Sequence, residues 1–281
     1  MNDEISDLSE EDGSVPMINN EMYFESIRSS GYNDTAMALG ELIDNSLQAK
    51  ATMVDVLVAE SHNRVGKRRS WQAYEIAVLD NGIGMKPSLL QRALRLGDGE
   101  HQKDKSGMGK FGVGLPQASI NQAKRIDVWS WQNGIKSAKH AYIGGDDRKW
   151  IKKLAILPPD DLEIPEKWLD NSKITGQTGT LVVWSNLDRI SWVKAETIYN
   201  NSEFLVGRMY RDWLTTDNRE GKQKALIKLI SFDNSGREER DSWIYKPNDP
   251  MYLLSRSSGM KSSTKRKIMF EKWGEPLELE Y

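Results

Sequence analysis

The chain has 281 residues, enough for one large domain or two smaller ones. It carries 39 Lys and Arg against 41 Asp and Glu, a net charge of −2, which excludes a globally basic nucleic-acid coat but leaves room for a local basic patch. It has no cysteine, so disulfides, zinc–thiolate sites, iron–sulfur clusters and cysteine nucleophiles are excluded, and a reducing cytoplasmic compartment is expected.

Residues 1–20 hold Asp3, Glu4, Asp7, Glu10, Glu11 and Asp12 with no base, and read as an acidic flexible tail rather than a signal peptide. From Glu21 to Ala51 the pattern turns helical, with Ala36, Leu39, Ile43 and Leu47 in one stripe and Asn33 or Asp34 as N-cap. Val54, Val56 and Val58 alternate, as do Tyr74, Ile76 and Val78, so two strands are expected around a basic turn at residues 66–69. Pro87 suits the first position of a helix whose apolar face is Leu90, Ala93 and Leu94. Glycines at 97, 99, 107, 109, 112 and 114 make a loop that needs unusual backbone angles or close approach to a ligand. A short helix follows through Ala118 to Ala123. Arg125–Trp131 and Ile135–Ile143 read as strands joined at Asn133-Gly134.

Residues 144–179 read as loop-rich, with Pro158-Pro159 and Pro165, Thr180–Trp184 as a strand and Ala195–Leu214 as a helix. Lys224–Ser231 and Glu238–Tyr245 read as a hairpin, and a basic stretch runs from Lys261 to Lys272. Helices and strands alternate without regular βαβ spacing, which favours an α+β layered sandwich. No apolar run approaches the ~18 residues that a membrane helix needs. His62, His101 and His140 have no metal-ligand spacing.

Four segments carry chemistry. Glu41 and Asn45 are four apart and project from one helix face. Such a pair can hold a water with the carboxylate and a hard cation with the amide oxygen, or simply be a solvated polar face. Asp80-Asn-Gly82-Ile-Gly84-Met85 ends a strand. An ionised Asp there can read an exocyclic amine, Gly82 and Gly84 let backbone pass close to a flat ring, and Met85 can pack on it; a plain turn is the alternative. Gly107-Met-Gly109-Lys-Phe-Gly112-Val-Gly114 can cradle an anion with backbone amides, although it matches neither a Walker A loop nor a dinucleotide fingerprint. Thr180, in Thr178-Gly-Thr180, can support Asp80 directly or through water.

Taken in order over roughly residues 20–215, these segments resemble the GHKL ATPases, the superfamily of gyrase, the ninety-kilodalton heat-shock chaperone, histidine kinases and MutL. Glu41-Leu-Ile-Asp-Asn-Ser looks like the N-box, Asp80-Asn-Gly-Ile-Gly-Met like the adenine box and Gly109-Lys-Phe-Gly-Val-Gly-Leu115 like the phosphate box. Gly40-Glu-Leu-Ile-Asp-Asn45 and Gly179-Thr-Leu-Val-Val-Trp-Ser-Asn-Leu187 are similar to MORC-type members.

The resemblance implies a Bergerat fold, a two-layer α/β sandwich with a mixed sheet, over residues 21–215, with residues 216–281 starting a transducer-like or accessory module. It implies ATP and Mg²⁺ as cofactors. Glu41 would be the general base, Asn45 the Mg²⁺ ligand and Asp80 the adenine contact backed by Thr180. Gly84 and Met85 would border the base, with Gly82 as a further nucleotide-binding residue. Gly112, Val113, Gly114 and Leu115 would present backbone amides to the phosphates, with Gly107 and Gly109 as further nucleotide-binding residues. A lid would run from about Leu96 to Phe111, where Lys105, Ser106 and Lys110 can meet ribose or phosphate. Gln48 departs from relatives that carry an acid there. Glu41 stands where the superfamily's kinases typically have Asn, which favours hydrolysis over phosphotransfer. The expected action is an ATP-gated clamp or remodeller, a homodimer when ATP is bound, on DNA or a protein partner; a chaperone-like or signalling module with little turnover is the alternative.

Overall fold

The computed structural model describes residues 19–65, 68–96, 114–144, 155–174, 176–216, 223–233, 239–249, 268–272 and 275–279. Two helices open the fold, α1 (Asn20–Ser29) and α2 (Thr35–Gln48). Each is started by a side chain that satisfies a free amide: Asn19 accepts from Met22 N at 3.0 Å and Asp34 accepts from Met37 N at 2.9 Å. Strands β1 (Met53–Val65) and β2 (Arg68–Asp80) follow, then α3 (Pro87–Ala93), which begins on its proline. After α4 (Gly114–Gln122) come β3 (Ala123–Trp131), β4 (Lys139–Gly144), the short α5 (Glu166–Asp170) and β5 (Gly179–Leu187). The remaining elements are α6 (Ala195–Met209), α7 (Arg211–Leu214), β6 (Leu226–Asp233) and β7 (Glu239–Ile244), with a separate ribbon of β8 (Ile268–Lys272) and β9 (Glu275–Leu279).

Seven strands form one mixed sheet in the order β4-β3-β5-β2-β1-β6-β7. Among the described residues only the β1–β6 pairing is parallel, and it brings Val54 against Ile227 across most of the chain. This is the α+β architecture expected from the sequence. The central strands are apolar on both sides, so both faces must be covered. Val54, Val56, Val58, Ile76, Val78, Val128, Val182 and Trp184 meet the helix layer, including Leu39 and Ile43 of α2. Leu57, Leu79, Trp129, Trp131, Leu181 and Phe232 face the other way and pack with Trp168 of α5, Ile164 and Ile174. Trp168 and Phe232 meet edge to face, with centroids 5.5 Å apart.

The segment before α5 passes around the border strand β4. His140 and Asp160 exchange backbone hydrogen bonds at 2.9 and 2.8 Å. The buried His140 ring also lies between two carboxylates, Nε2 2.8 Å from Asp127 Oδ1 and Nδ1 2.9 Å from Asp160 Oδ1.

Two expectations needed correction. Ile135–Ser137 is a 3₁₀ turn rather than strand, closed by Ser137 N and Oγ on the Gly134 carbonyl at 2.9 and 2.7 Å, so β4 starts at Lys139. The helix expected over 195–214 breaks at Tyr210, whose backbone leaves the helical region (φ −106°, ψ 23°) while its hydroxyl donates to the Gly40 carbonyl of α2 at 2.8 Å. Residues 144–179, expected to be loop-rich, include the short α5 among their described residues.

Candidate functional site

Helix α2 buries Ala38, Leu39, Leu42 and Ile43 against the sheet, and this fixes the direction of its polar residues. Glu41 and Asn45 stand one turn apart, both half-buried. Burial raises the Glu41 pKa, and the Asp44 carboxylate raises it further; the Tyr32 hydroxyl, facing Glu41 from the α1–α2 connection, opposes both. The first residue of α4 presses on the same carboxylate: a Cβ at Gly114 would stand 2.5 Å from Glu41 Oε2. Glu41 thus lies against a helix N-terminus, where backbone amides point outward.

Asn45 Nδ2 is buried without a partner among the described residues. Rotation of the side-chain amide exchanges its oxygen and nitrogen, and it breaks no hydrogen bond of Nδ2. Among the described residues no group of three His, Asp or Glu is placed to hold a metal. A hard cation at Asn45 would therefore have to draw most of its oxygen ligands from a bound phosphate and water, as Mg²⁺ commonly does. The donor set fits that ion on those terms.

Asp80 ends β2 and is buried. Its Oδ1 accepts from Gly82 N at 2.7 Å, and Ser46 Oγ of α2 lies 3.0 Å from its Oδ2. Burial pushes its pKa up to about 6, against hydrogen bonds from the Gly82 amide, Ser46 and the Thr180 amide. The Thr180 hydroxyl itself is 3.0 Å from Ser130 Oγ. Asp80, Thr180 and Ser130 form one row across three adjacent strands, since the register pairs Asp80 with Thr180 and Thr180 with Ser130.

The loop after Asp80 crosses the end of β3. Gly84 has φ +66°, and a Cβ there would sit 2.0 Å from the Trp131 carbonyl oxygen, so only glycine fits. Met85 donates its N–H to Ser130 Oγ at 2.8 Å, and its half-buried side chain packs on the helix-side core, as does that of Leu115. Lys105, Ser106, Gly107, Gly109, Lys110, Gly112 and Val113, with residues 97–111 of the expected lid, lie outside the described residues. A cavity of ≈ 500 Å³ between α1, α3 and α4, lined by Phe24, Leu94, Pro116 and Ile120, includes none of these site residues.

Ser46, Ser130, Gln132 and Tyr32 were not singled out from the sequence. Ser46 follows Asn45 directly and was within reach of a careful reading of that motif. Ser130 and Gln132 matter only because β3 pairs with β5, which no local pattern announces.

A strand-end carboxylate tied to a helix carrying Glu and Asn, on a mixed sheet backed by helices, defines an ATP-binding domain of the GHKL type. Residues 32–175 match the family described as histidine kinase-, DNA gyrase B- and HSP90-like ATPase, and the chain belongs to that family. It is 24% identical over 179 residues, 53% of its length, to the ATPase MORC2B of Mus musculus. Over 251 residues, 79% of its length, it is 25% identical to Protein MICRORCHIDIA 5 of Arabidopsis thaliana. The chain spans 17% of the first relative and 33% of the second. Among the described residues no helix is long and apolar enough to cross a membrane.

Proposed function

We propose that the protein is a cytoplasmic, Mg²⁺-dependent ATPase whose nucleotide binding closes a lid over residues 96–111 and brings two copies together, as an ATP-gated clamp or remodeller acting on DNA or a protein partner. The observation that carries the reading is the joining of Asp80 to the Glu41 helix through Ser46, which sets a base-reading carboxylate and a hydrolytic carboxylate in one frame. Asp80 takes the exocyclic amine of adenine, with Gly82, Gly84 and Met85 along the ring and Thr180 behind the carboxylate. Gly114 and Leu115, following Gly107, Gly109, Gly112 and Val113, turn amides toward the phosphates. Asn45 holds Mg²⁺, which neutralises phosphate charge when bound.

Glu41 acts as the general base. It takes a proton from the attacking water as the water oxygen bonds to the terminal phosphorus, the bond to the ADP oxygen breaks, and ADP and phosphate leave. A carboxyl raised by burial and by Asp44 is a stronger base than an ordinary one. Its presence favours hydrolysis over transfer to a histidine.

Glu41→Ala tests the reading. ATP binding is expected to persist while turnover falls by roughly 10²–10⁴; unchanged turnover removes Glu41 as the base. Asp80→Asn is expected to lose nucleotide binding. Turnover measured with and without DNA separates a DNA client from a protein partner.

A further inference from the structure

Three consecutive residues, Ser130 and Trp131 at the end of β3 and Gln132 just after it, hold the loop that follows Asp80. Ser130 Oγ accepts the Met85 N–H at 2.8 Å and lies 3.0 Å from both the Gly179 carbonyl and Thr180 Oγ1. The Trp131 carbonyl lies directly under Gly84. Gln132 Nε2 donates to the carbonyls of Ile83 at 3.2 Å and Gly84 at 3.3 Å. At the other end of the same loop, the Gly82 amide holds Asp80 Oδ1. The carboxylate is thus fixed to the loop, and the loop is fixed to β3. Ser130 is 1% exposed, so removing its hydroxyl leaves the Met85 amide without its acceptor inside the protein.

We infer that Ser130 and Gln132 are positioning residues for base recognition, setting the loop 82–85 against the Asp80 carboxylate so that the site tells a 6-amino purine from a 6-oxo purine. The inference rests on the reading of Asp80 as the adenine contact. An ionised carboxylate only accepts hydrogen bonds. It welcomes the amine of a 6-amino purine and meets the carbonyl of a 6-oxo purine lone pair to lone pair. Hydrogen bonds weaken steeply off-axis, so the discrimination depends on how the ring is held in the plane of the carboxylate. The loop bordering the ring sets that plane, and Ser130 and Gln132 set the loop.

The test is the affinity of the full chain for ATP and for inosine triphosphate, which carries a carbonyl in place of the amine. The wild type is expected to prefer ATP. The preference is expected to fall about fivefold in Ser130→Ala and about twofold in Gln132→Ala, the scale of one or part of one hydrogen bond. A loss of folded protein lowers both affinities alike and leaves their ratio in place. Gln132 is only half-buried at a strand end, so its variant keeps the test open should Ser130→Ala fail to fold. A wild-type ratio in both folded variants, or in Gln132→Ala alone where Ser130→Ala does not fold, overturns the inference while leaving the adenine reading in place. An Asp80→Asn variant that binds ATP as the wild type does removes the adenine reading, and the inference with it.

Discussion

Ser46 Oγ lies 3.0 Å from Asp80 Oδ2, although one residue belongs to helix α2 and the other to the end of strand β2. Ser46 Oγ is also 3.0 Å from the Leu42 carbonyl, so a single hydroxyl proton faces two acceptors. Ser46→Ala removes a bond to a buried carboxylate. ATP affinity is expected to fall about tenfold, the scale of one charge-assisted bond. Calorimetric titration of the variant reads this, and an unchanged affinity would show that Asp80 is held well enough by the Gly82 and Thr180 amides.

Two of the glycines at the site, Gly84 and Gly114, are expected to respond differently to alanine. At Gly84 the obstacle is the backbone carbonyl of Trp131, and the φ of +66° adds strain, so the loop must move. Gly84→Ala is expected to cost about 2 kcal/mol or more and to lose nucleotide binding. At Gly114 the obstacle is Glu41 Oε2, the far end of a flexible side chain. Gly114→Ala is expected to keep the fold and to lower turnover more than ATP affinity. Thermal unfolding and a turnover assay on the pair check the contrast.

Stability should depend on pH in a direction set by buried carboxyls. Burial raises the pKa of Glu41, Asp44, Glu60 and Asp80 in the folded chain, Asp80 from an ordinary 3.8 to about 6. Asp127 is shifted down: burial opposes the shift, but hydrogen bonds from His140 and Arg125 outweigh it. Where the folded state binds more protons than the unfolded one, stability falls as pH rises. The Asp80 contribution is therefore full below its unfolded pKa and is lost as pH rises through about 6, a change of about 3 kcal/mol at 1.36 kcal/mol per unit. Denaturant unfolding of the nucleotide-free protein between pH 4 and 7 is expected to show this fall, with a shallower slope in Asp80→Asn. A rise with pH that Asp80→Asn leaves unchanged would contradict it.

Arg28 ties α1 to the rest of the fold. It is 3% exposed, Nε donates to the Ile120 carbonyl at 2.9 Å, and Nη2 meets both oxygens of Asp188 at 2.6 and 2.8 Å. Arg28→Met removes the bonds to Asp188 and to the Ile120 carbonyl and is expected to destabilise by about 1–3 kcal/mol, since Asp188 is partly exposed and keeps Lys124 nearby. Chemical denaturation reads the loss, and hydrogen exchange across α1 shows whether the helix comes away first.

Local signals were the legible part. Asp34 as a cap, Pro87 as a first helical residue and the alternation of Val54, Val56 and Val58 each follow from a few neighbouring side chains. The pairing of Glu41 with Asn45 follows from helical periodicity alone. The parallel β1–β6 contact joins segments some 170 residues apart and leaves no local trace. The break at Tyr210 is equally hidden, because its hydroxyl answers a carbonyl on α2. The row Asp80–Thr180–Ser130 needed two strand registers before Ser130 could be noticed. Trp168 gave no signal of its role either, since the second core it fills exists only once the sheet has two covered faces.

The His140–Asp160 exchange at β4 has a bearing on how this protein fails. A border strand with free amides and carbonyls is a template on which another chain can lay a strand. At β4 part of that template is already taken by the chain's own residue 160. Strand-on-strand clumping in stressed or concentrated protein is thus steered away from the His140 stretch of that border, and loosening the 155–165 segment would uncover it.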